Sequence, residues 1–385
     1  MRRLTGIFNA IYAEIKMYIH QLPEWPHFVW NESSLSILLA NVRHLQGRLL
    51  GKMEGIGFAL QSEASLETLT EDVLKSSEIE GEILNPDQVR SSIARRLGMD
   101  VASLVASDRS VDGVVEMMLD ATQRYQDELT KDRLFGWHSA LFPTGRSSMY
   151  KIVVGNWRDN KNDDPMQVVS GAMGKEKVHY QAPDSDILSK EMTAFLEWFN
   201  TYHDIDPVLK AGIAHLWFVT IHPFDDGNGR IARAIADMQL ARADASAQRF
   251  YSMSGQIRQE RNKYYEVLES TQKGSINITE WLYWFLDCFG HALSATDQTL
   301  AKVLYKAKFW ENLKNSTLNA RQKIMLNKLL DGFEGKFNSS KWAKIAKCSQ
   351  DTAGRDIQDL IEKGILVKEA SGGRSTSYIL NENKD

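Results

Sequence analysis

Residues 206–243 read DPVLKAGIAHLWFVTIHPFDDGNGRIARAIADMQLARA, and this stretch decides the fold. Asp206-Pro207 is a strong helix start, because the carboxylate caps free N–H groups and proline fits the first turn. The pattern predicts a helix from there through Ala214-His215-Leu216 to Ile221, stopped by Pro223. Beyond a polar loop containing Gly227 and Gly229, Arg230 to about Ala243 resumes helical periodicity with the strong helix formers alanine and leucine. Outward from this pair, apolar residues recur at helical spacing along nearly the whole chain, so the predicted class is mostly α.

Two short segments read as β. Met166 to Tyr180 holds a Val-Val pair, a turn from Gly171 to Gly174 and Val178-His179-Tyr180, which together predict a hairpin. Ile365 to Leu380, with the turn Ser371-Gly372-Gly373, predicts another. Upstream, Leu22-Pro23-Glu24-Trp25-Pro26 gives way to a helix from about Ser34, capped by Ser33 or Ser34, and a further helical stretch runs from about Val73 to Ile83. At the C-terminal end, predicted helices Ala320–Leu330, Ser339–Ala346 and Gln350–Lys363 followed by the last hairpin have the order of a winged helix-turn-helix. The divisions drawn from this are an uncertain extension at 1–16, an N-terminal helical region at 17–105, a helical core at 106–312 and a winged-helix domain at 313–385.

The 385 residues exceed one usual domain, and a hydrophobic content of 43% with 25% charged residues is ordinary for a soluble globular protein. No apolar run approaches a membrane span. Glu14 and Lys16 interrupt the first apolar segment, so it reads poorly as a secretory signal, and a cytoplasmic location is expected. Cys288 and Cys348 lie outside any metal-ligand spacing and are expected to be reduced core residues. A net charge of −4 gives no general attraction to nucleic acid or membrane.

The loop His222-Pro223-Phe224-Asp225-Asp226-Gly227-Asn228-Gly229-Arg230, with Arg233 one turn on, concentrates the chemistry. Gly227 and Gly229 let backbone N–H groups face a ligand, and the helix that follows presents its own free N–H groups and positive dipole end. Arg230 and Arg233 share a helix face, each with a planar fork suited to phosphate oxygens. Asp226 could hold Mg²⁺ through one carboxylate beside phosphate oxygens and water. His222, at the opposite lip, could take the proton of an attacking hydroxyl. Standing alone, each has an ordinary reading: a histidine before proline caps or packs, Asp-Gly-Asn-Gly turns, and arginines on a helix face water or pair with carboxylates. The joint spacing is far more specific.

HPFDDGNGR with Arg233 resembles the Fic motif, HPFx(D/E)GNGRxxR, without a departure. The resemblance implies an α-helical Fic core, ATP and Mg²⁺ as cosubstrates, and transfer of AMP to a Ser, Thr or Tyr hydroxyl of a protein target, which could include the chain itself. It assigns His222 as general base, Asp226 as metal ligand, Gly227, Asn228 and Gly229 as phosphate cradle, and Arg230 and Arg233 to the outer phosphates. The 166–180 hairpin stands where the family has its flap, which receives a target segment by strand addition. Tyr264-Tyr265 and Gln272 fall where the family contacts adenine, with packing an equal reading for the tyrosines. Relatives of this core use other nucleotides or phosphocholine donors, and agreement with the AMP-transfer motif favours ATP.

Ser76-Ser77-Glu78-Ile79-Glu80-Gly81 is similar to the inhibitory pattern (S/T)xxxE(G/N) of class II Fic proteins. Ser76 and Glu80 share a helix face, and the resemblance implies that the Glu80 carboxylate bonds Arg233 and so spoils the nucleotide pose. The ordinary alternative is a capped helix end at Gly81 with three acidic residues in water. Residues 17 to about 100, with MYIHQLPEWPHFVW and SSEIEGEIL as landmarks, resemble the N-terminal domain of a bacterial Fic subgroup whose chains start near Met17; residues 1–16 lie outside that resemblance. Two other functions compete with AMP transfer: removal of AMP, with Glu80 orienting a water, and a DNA-binding regulator whose core senses nucleotide. From Lys341 to Arg374 there are seven basic and five acidic residues, including Asp351, Asp356, Asp359 and Glu362 on the would-be recognition helix. A protein-docking or packing role for this domain is therefore favoured over DNA.

Overall fold

The computed structural model describes residues 17–99, 104–159, 165–171, 175, 177–333, 335–369 and 376–381. The extension 1–16, the turn residues 172–174 and 371–373, and Arg374 lie outside these. In chain order the helices are α1 Glu32–Glu54, α2 Phe58–Ile79, α3 Pro86–Arg96, α4 Arg109–Gln123, α5 Lys131–Leu141, α6 Leu188–Asn200, α7 Pro207–Ile221, α8 Asn228–Asp244, α9 Met253–Gln259, α10 Arg261–Gln272, α11 Thr279–Asn312, α12 Ala320–Leu330, α13 Ser339–Ile345 and α14 Gln350–Glu362. Three antiparallel hairpins punctuate them: β1 Arg146–Ser147 with β2 Tyr150–Lys151, β3 Gln167–Ser170 with β4 Lys177–Gln181, and β5 Leu366–Lys368 with β6 Tyr378–Leu380. The fold is mostly helical. Among the described residues no helix is long and apolar enough to cross a membrane.

Contacts divide the chain into two compact units, residues up to 98 with 105–299, and 99–104 with 300–385. In the first, α7 and α8 form the centre. Residues 208–221 of α7 are all buried, as expected of a helix that is apolar on every side. Asp206 Oδ1 accepts from the Val208 N–H at 2.8 Å, with Pro207 in the first turn. The helix ends where His222 turns into the left-handed region, φ +51°. Tyr180 pins the β3–β4 hairpin against this core, its hydroxyl donating to the Thr220 carbonyl at 2.7 Å.

Several boundaries differ from the reading of the sequence. The Asn31 side chain caps α1 through the Ser34 N–H, in place of Ser33 or Ser34, because the chain is still extended at residue 31 and the helix begins at once after it. Helix α2 starts well before Val73, its apolar face being continuous with residues 64–73, and stops at Ile79, where Glu80 is the C-cap and Gly81 adopts φ +83°. Glu80 thus sits at a helix end and not within a helix. Helix α8 begins at Asn228 and not near Arg230, since Gly227 supplies the left-handed turn. The β1–β2 hairpin has no period-2 signature and was not expected.

The second unit packs α12, α13 and α14 with the β5–β6 hairpin around Leu326, Trp342, Ile357, Leu360 and Leu366. Ser349 caps α14 through the Thr352 N–H, and Arg321 holds Asp356 through two bonds of 2.7 and 2.9 Å. Cys288 is buried and Cys348 half-buried, and both are free thiols.

Candidate active site

The loop between α7 and α8 closes on itself. Asn228 Nδ2 donates to the Phe224 carbonyl at 2.7 Å, and the Phe224 N–H donates back to Asn228 Oδ1 at 3.0 Å. The Asn228 amide is therefore spent on holding the loop, and only its backbone faces outward. Gly227, at φ +82°, passes so close to Phe142 that a Cβ would stand 2.9 Å from the ring. The first intrahelical bond of α8 runs from the Ile231 N–H to the Gly227 carbonyl, so the N–H groups of residues 228–230 precede it and point off the helix end. Beneath the loop His138 stacks on Phe224, centroids 4.2 Å apart. Its Nδ1 accepts from the Gly155 N–H, which leaves Nε2–H to donate to the Asp226 carbonyl.

His222 forms one lip. Its half-buried ring places Nδ1 3.2 Å from the Val219 carbonyl, an oxygen that can only accept, so Nδ1 carries the hydrogen and Nε2 keeps its lone pair. Burial draws its pKa down to about 4, and the Arg158 guanidinium adds to the effect against the pull of Asp226 and Glu80. The imidazole is therefore neutral at physiological pH, the state a proton acceptor needs. Arg158 fixes its backbone: Nε donates to the His222 carbonyl at 2.8 Å and the Arg158 N–H to the Pro223 carbonyl at 2.9 Å.

Asp226 is held by the Gly227 N–H on Oδ1, at 2.6 Å, and by the Ser147 hydroxyl on Oδ2. Each carboxylate oxygen keeps a lone pair, and one carboxylate with phosphate oxygens and water is what Mg²⁺ ordinarily takes, so the residue fits that ion. Among the described residues no group of three or more His, Cys, Asp or Glu side chains gathers around a metal position.

At the other lip both arginines are engaged by α2 and the turn after it. Arg233 is buried; its Nε donates to Ser76 Oγ at 3.0 Å and its NH2 to the Ser76 carbonyl at 2.9 Å and to Glu80 Oε1 at 2.8 Å. Burial works against its charge, and the Glu80 carboxylate with Tyr264 and Tyr265 holds its pKa above the ordinary value. Its NH1 is buried without a partner. Glu80 also stands over Gly229, where a side chain would overlap its carboxylate. Arg230 lies against the Phe142 ring and donates to Glu82 Oε2 at 2.7 Å. Arg261 Nε secures the end of α2 through the Ile79 carbonyl at 3.0 Å.

His222, Gly229 and Glu80 open onto one cavity of about 730 Å³, walled also by the β3–β4 hairpin, Tyr265 and Gln272. That volume lies within the range of small-molecule sites. Gln272 donates to Thr220 Oγ1 at 3.3 Å. Tyr264 is buried and shares a 3.0 Å bond with His215, so packing accounts for its ring, although it too touches the cavity. The structure thus brings His222, Asp226, Gly227, Gly229, Arg230, Arg233, Ser76 and Glu80 together. It adds four residues that the sequence did not single out: Glu82, Ser147, Arg158 and His138. Only Glu82, two positions past Glu80, carried a local signal.

Fold and site define a helical protein with a neutral imidazole at one end of a loop and, at the other, a helix N-terminus with two buried arginines. Residues 128–240 match the Fic/DOC family, and residues 18–99 match a domain of unknown function, DUF4172. The chain therefore carries a Fic/DOC domain, with the HPFDDGNGR loop inside it. Among curated proteins, "Protein adenylyltransferase Fic" of Drosophila yakuba is 26% identical over 231 residues, and that of Aedes aegypti 27% identical over 233 residues. Each match covers 58% of this chain and 41% of the relative, so the chain spans less than half the length of these proteins. Among solved structures, a Fic family protein from Desulfovibrio desulfuricans G20 superposes with a TM-score of 0.52 at 18% identity, covering 91% of this chain and 96% of that one. A Fic domain containing signaling protein from Bacteroides thetaiotaomicron gives 0.50 at 18% identity, covering 68% and 97%. These two share the fold.

Proposed function

We propose that this chain is a protein adenylyltransferase that moves AMP from ATP to a Ser, Thr or Tyr hydroxyl of a target protein and is held inactive by Glu80. The observation that carries the reading is the Glu80 carboxylate bonded to Arg233 above Gly229, in the same cavity as the neutral His222. An anion already sits where the loop's donors converge. In the working state Arg230 and Arg233 bind the outer phosphates with the N–H groups of residues 228–230. Asp226 holds Mg²⁺, which when bound neutralises phosphate charge. His222 Nε2 accepts the proton of the attacking hydroxyl, and the β3–β4 hairpin receives the target segment. Glu80 on Arg233 and Glu82 on Arg230 oppose this by taking both forks. Residues 17–105 serve as the region carrying the inhibitory helix, 106–312 as the Fic core and 313–385 as a winged-helix domain with a docking role, in a cytoplasmic protein.

A second reading, removal of AMP, is favoured by one observation: the Glu80 side chain is 32% exposed and lines the cavity with His222, where it could orient a water. The test is transfer of α-labelled ATP, with Mg²⁺, to proteins of a cell lysate by wild type, Glu80→Gly and Glu80→Gly/His222→Ala. Strong labelling by Glu80→Gly alone is expected. A Glu80→Gly protein that binds nucleotide yet labels neither lysate proteins nor itself overturns the reading, and release of AMP from modified proteins by wild type would put the second in its place.

A further inference from the structure

Three polar residues to which that scheme gives no chemical role meet in the wall of the same cavity. Ser170 ends β3, His179 lies in β4 and Glu269 in α10. Ser170 Oγ is 2.6 Å from His179 Nε2, and His179 Nδ1 is 2.6 Å from Glu269 Oε2. A carboxylate oxygen only accepts, so Nδ1 carries the hydrogen and, in the neutral ring, Nε2 accepts the hydroxyl proton of Ser170. Lys273 Nζ holds the other oxygen of Glu269 at 2.5 Å, which fixes the carboxylate that orients the ring. The local backbone contributes to the alignment. Val168 pairs with Tyr180 and Val169 with Val178, so His179 is the bulged residue of β4, a device that re-aims side chains beside active sites.

Hydroxyl, imidazole and carboxylate in this order form an activated nucleophile with its base and orienting group. A latch between hairpin and α10 would need only the His179–Glu269 pair. The serine on the ring's second nitrogen is superfluous to a latch and is what a nucleophile requires. Ser170 is exposed while the ring and carboxylate behind it are half-buried.

We infer that Ser170 is a self-modification site, its hydroxyl accepting the nucleotidyl group handled in this cavity while His179 takes the proton. The inference rests on the adenylyltransferase reading. In the step, Ser170 Oγ bonds to the α-phosphorus of a nucleoside triphosphate, the bond from that phosphorus to the bridging oxygen of the β-phosphate breaks, and pyrophosphate leaves with the electron pair. The hydroxyl proton passes to His179 Nε2, and the Glu269 carboxylate stabilises the imidazolium. The products are a serine phosphodiester and pyrophosphate, with no oxidant or reductant involved.

The experiment uses the full chain with Glu80→Gly, incubated with Mg²⁺ and ATP labelled at the α-phosphate, and peptide mapping by mass spectrometry. AMP is expected on Ser170, at background level in Ser170→Ala and present again in Ser170→Thr, which keeps the hydroxyl and controls for folding. His179→Ala should slow modification of position 170 by roughly a hundredfold or more. Label on the chain with Ser170 unmodified, or undiminished Ser170 labelling in His179→Ala, overturns the inference and leaves the adenylyltransferase reading standing. No label on the chain or on lysate proteins overturns both.

Discussion

Arg233 and Arg249 are chemically alike and sit in contrasting surroundings. Each guanidinium is 2% exposed, and each is bonded to a carboxylate, Glu80 at 2.8 Å and Asp237 at 2.7 Å. The carboxylates differ: Asp237 is 1% exposed, Glu80 32%. Asp237 is on α8, with Asp72 of α2 close by, and Asp72 accepts from Ser252 Oγ and the Ser254 N–H. Burial pushes the Asp237 carboxyl up against the pull of Arg249, and no incoming anion could reach that guanidinium. Glu80 stands at the end of a helix, beside a cavity. On the proposed reading, the arginine whose counter-ion has an exit is the one that binds a ligand.

The contrast can be broken by stripping each arginine of its partner. Asp237→Ala leaves Arg249 buried without its carboxylate and should cost roughly 3–5 kcal/mol of stability with no gain in transfer. Urea unfolding together with a labelling assay checks both halves, and a rise in transfer would erase the distinction. The buried histidines sharpen it with a third kind of group. Burial draws His138 down to about 4 and His215, which also faces Arg233, to about 3. The unfolded chain takes up protons below about pH 6.5 that the native state refuses, so stability is full above that pH and falls as pH drops toward 4. Each histidine should contribute on the order of 3 kcal/mol to that loss. Urea midpoints at several pH values test it, and a flat profile across this window would show that these rings are not held neutral.

Glu80→Gly should leave stability nearly unchanged, because its carboxylate is partly in water, while transfer rises by roughly ten- to a hundredfold. A large loss of stability instead would make Glu80 a second Asp237. Glu82→Gln should raise transfer by no more than about fivefold, as expected of an ion pair whose acid is 39% exposed. Equality with Glu80→Gly would show that Arg230 is the fork that matters.

Much of the site was legible because its parts are local. Asp206-Pro207 starts α7, Pro223 and Gly227 bound the loop, and one turn of α8 aligns Arg230 with Arg233. The (S/T)xxxE spacing likewise set Ser76 and Glu80 one turn apart. What was illegible depends on residues distant in sequence: Ser147 reaching Asp226, Arg158 gripping His222, His138 under Phe224, Glu269 behind His179. None has a local pattern, since a serine, arginine, histidine or glutamate on a helix or hairpin looks the same whether it faces water or a neighbour.

Helix boundaries mark the same divide. Glu80 belongs by periodicity inside a helix from about Val73 to Ile83, yet α2 stops at Ile79 because Gly81 takes a left-handed turn and Arg261 caps the Ile79 carbonyl. By itself the sequence determined the helix–loop–helix, the donors along it and the pattern that pairs with it, because hydrogen bonds within a turn or two depend only on neighbouring residues. The tertiary structure alone decided which carboxylate meets which arginine and how much water each keeps, because burial and long-range pairing follow from how the helices pack.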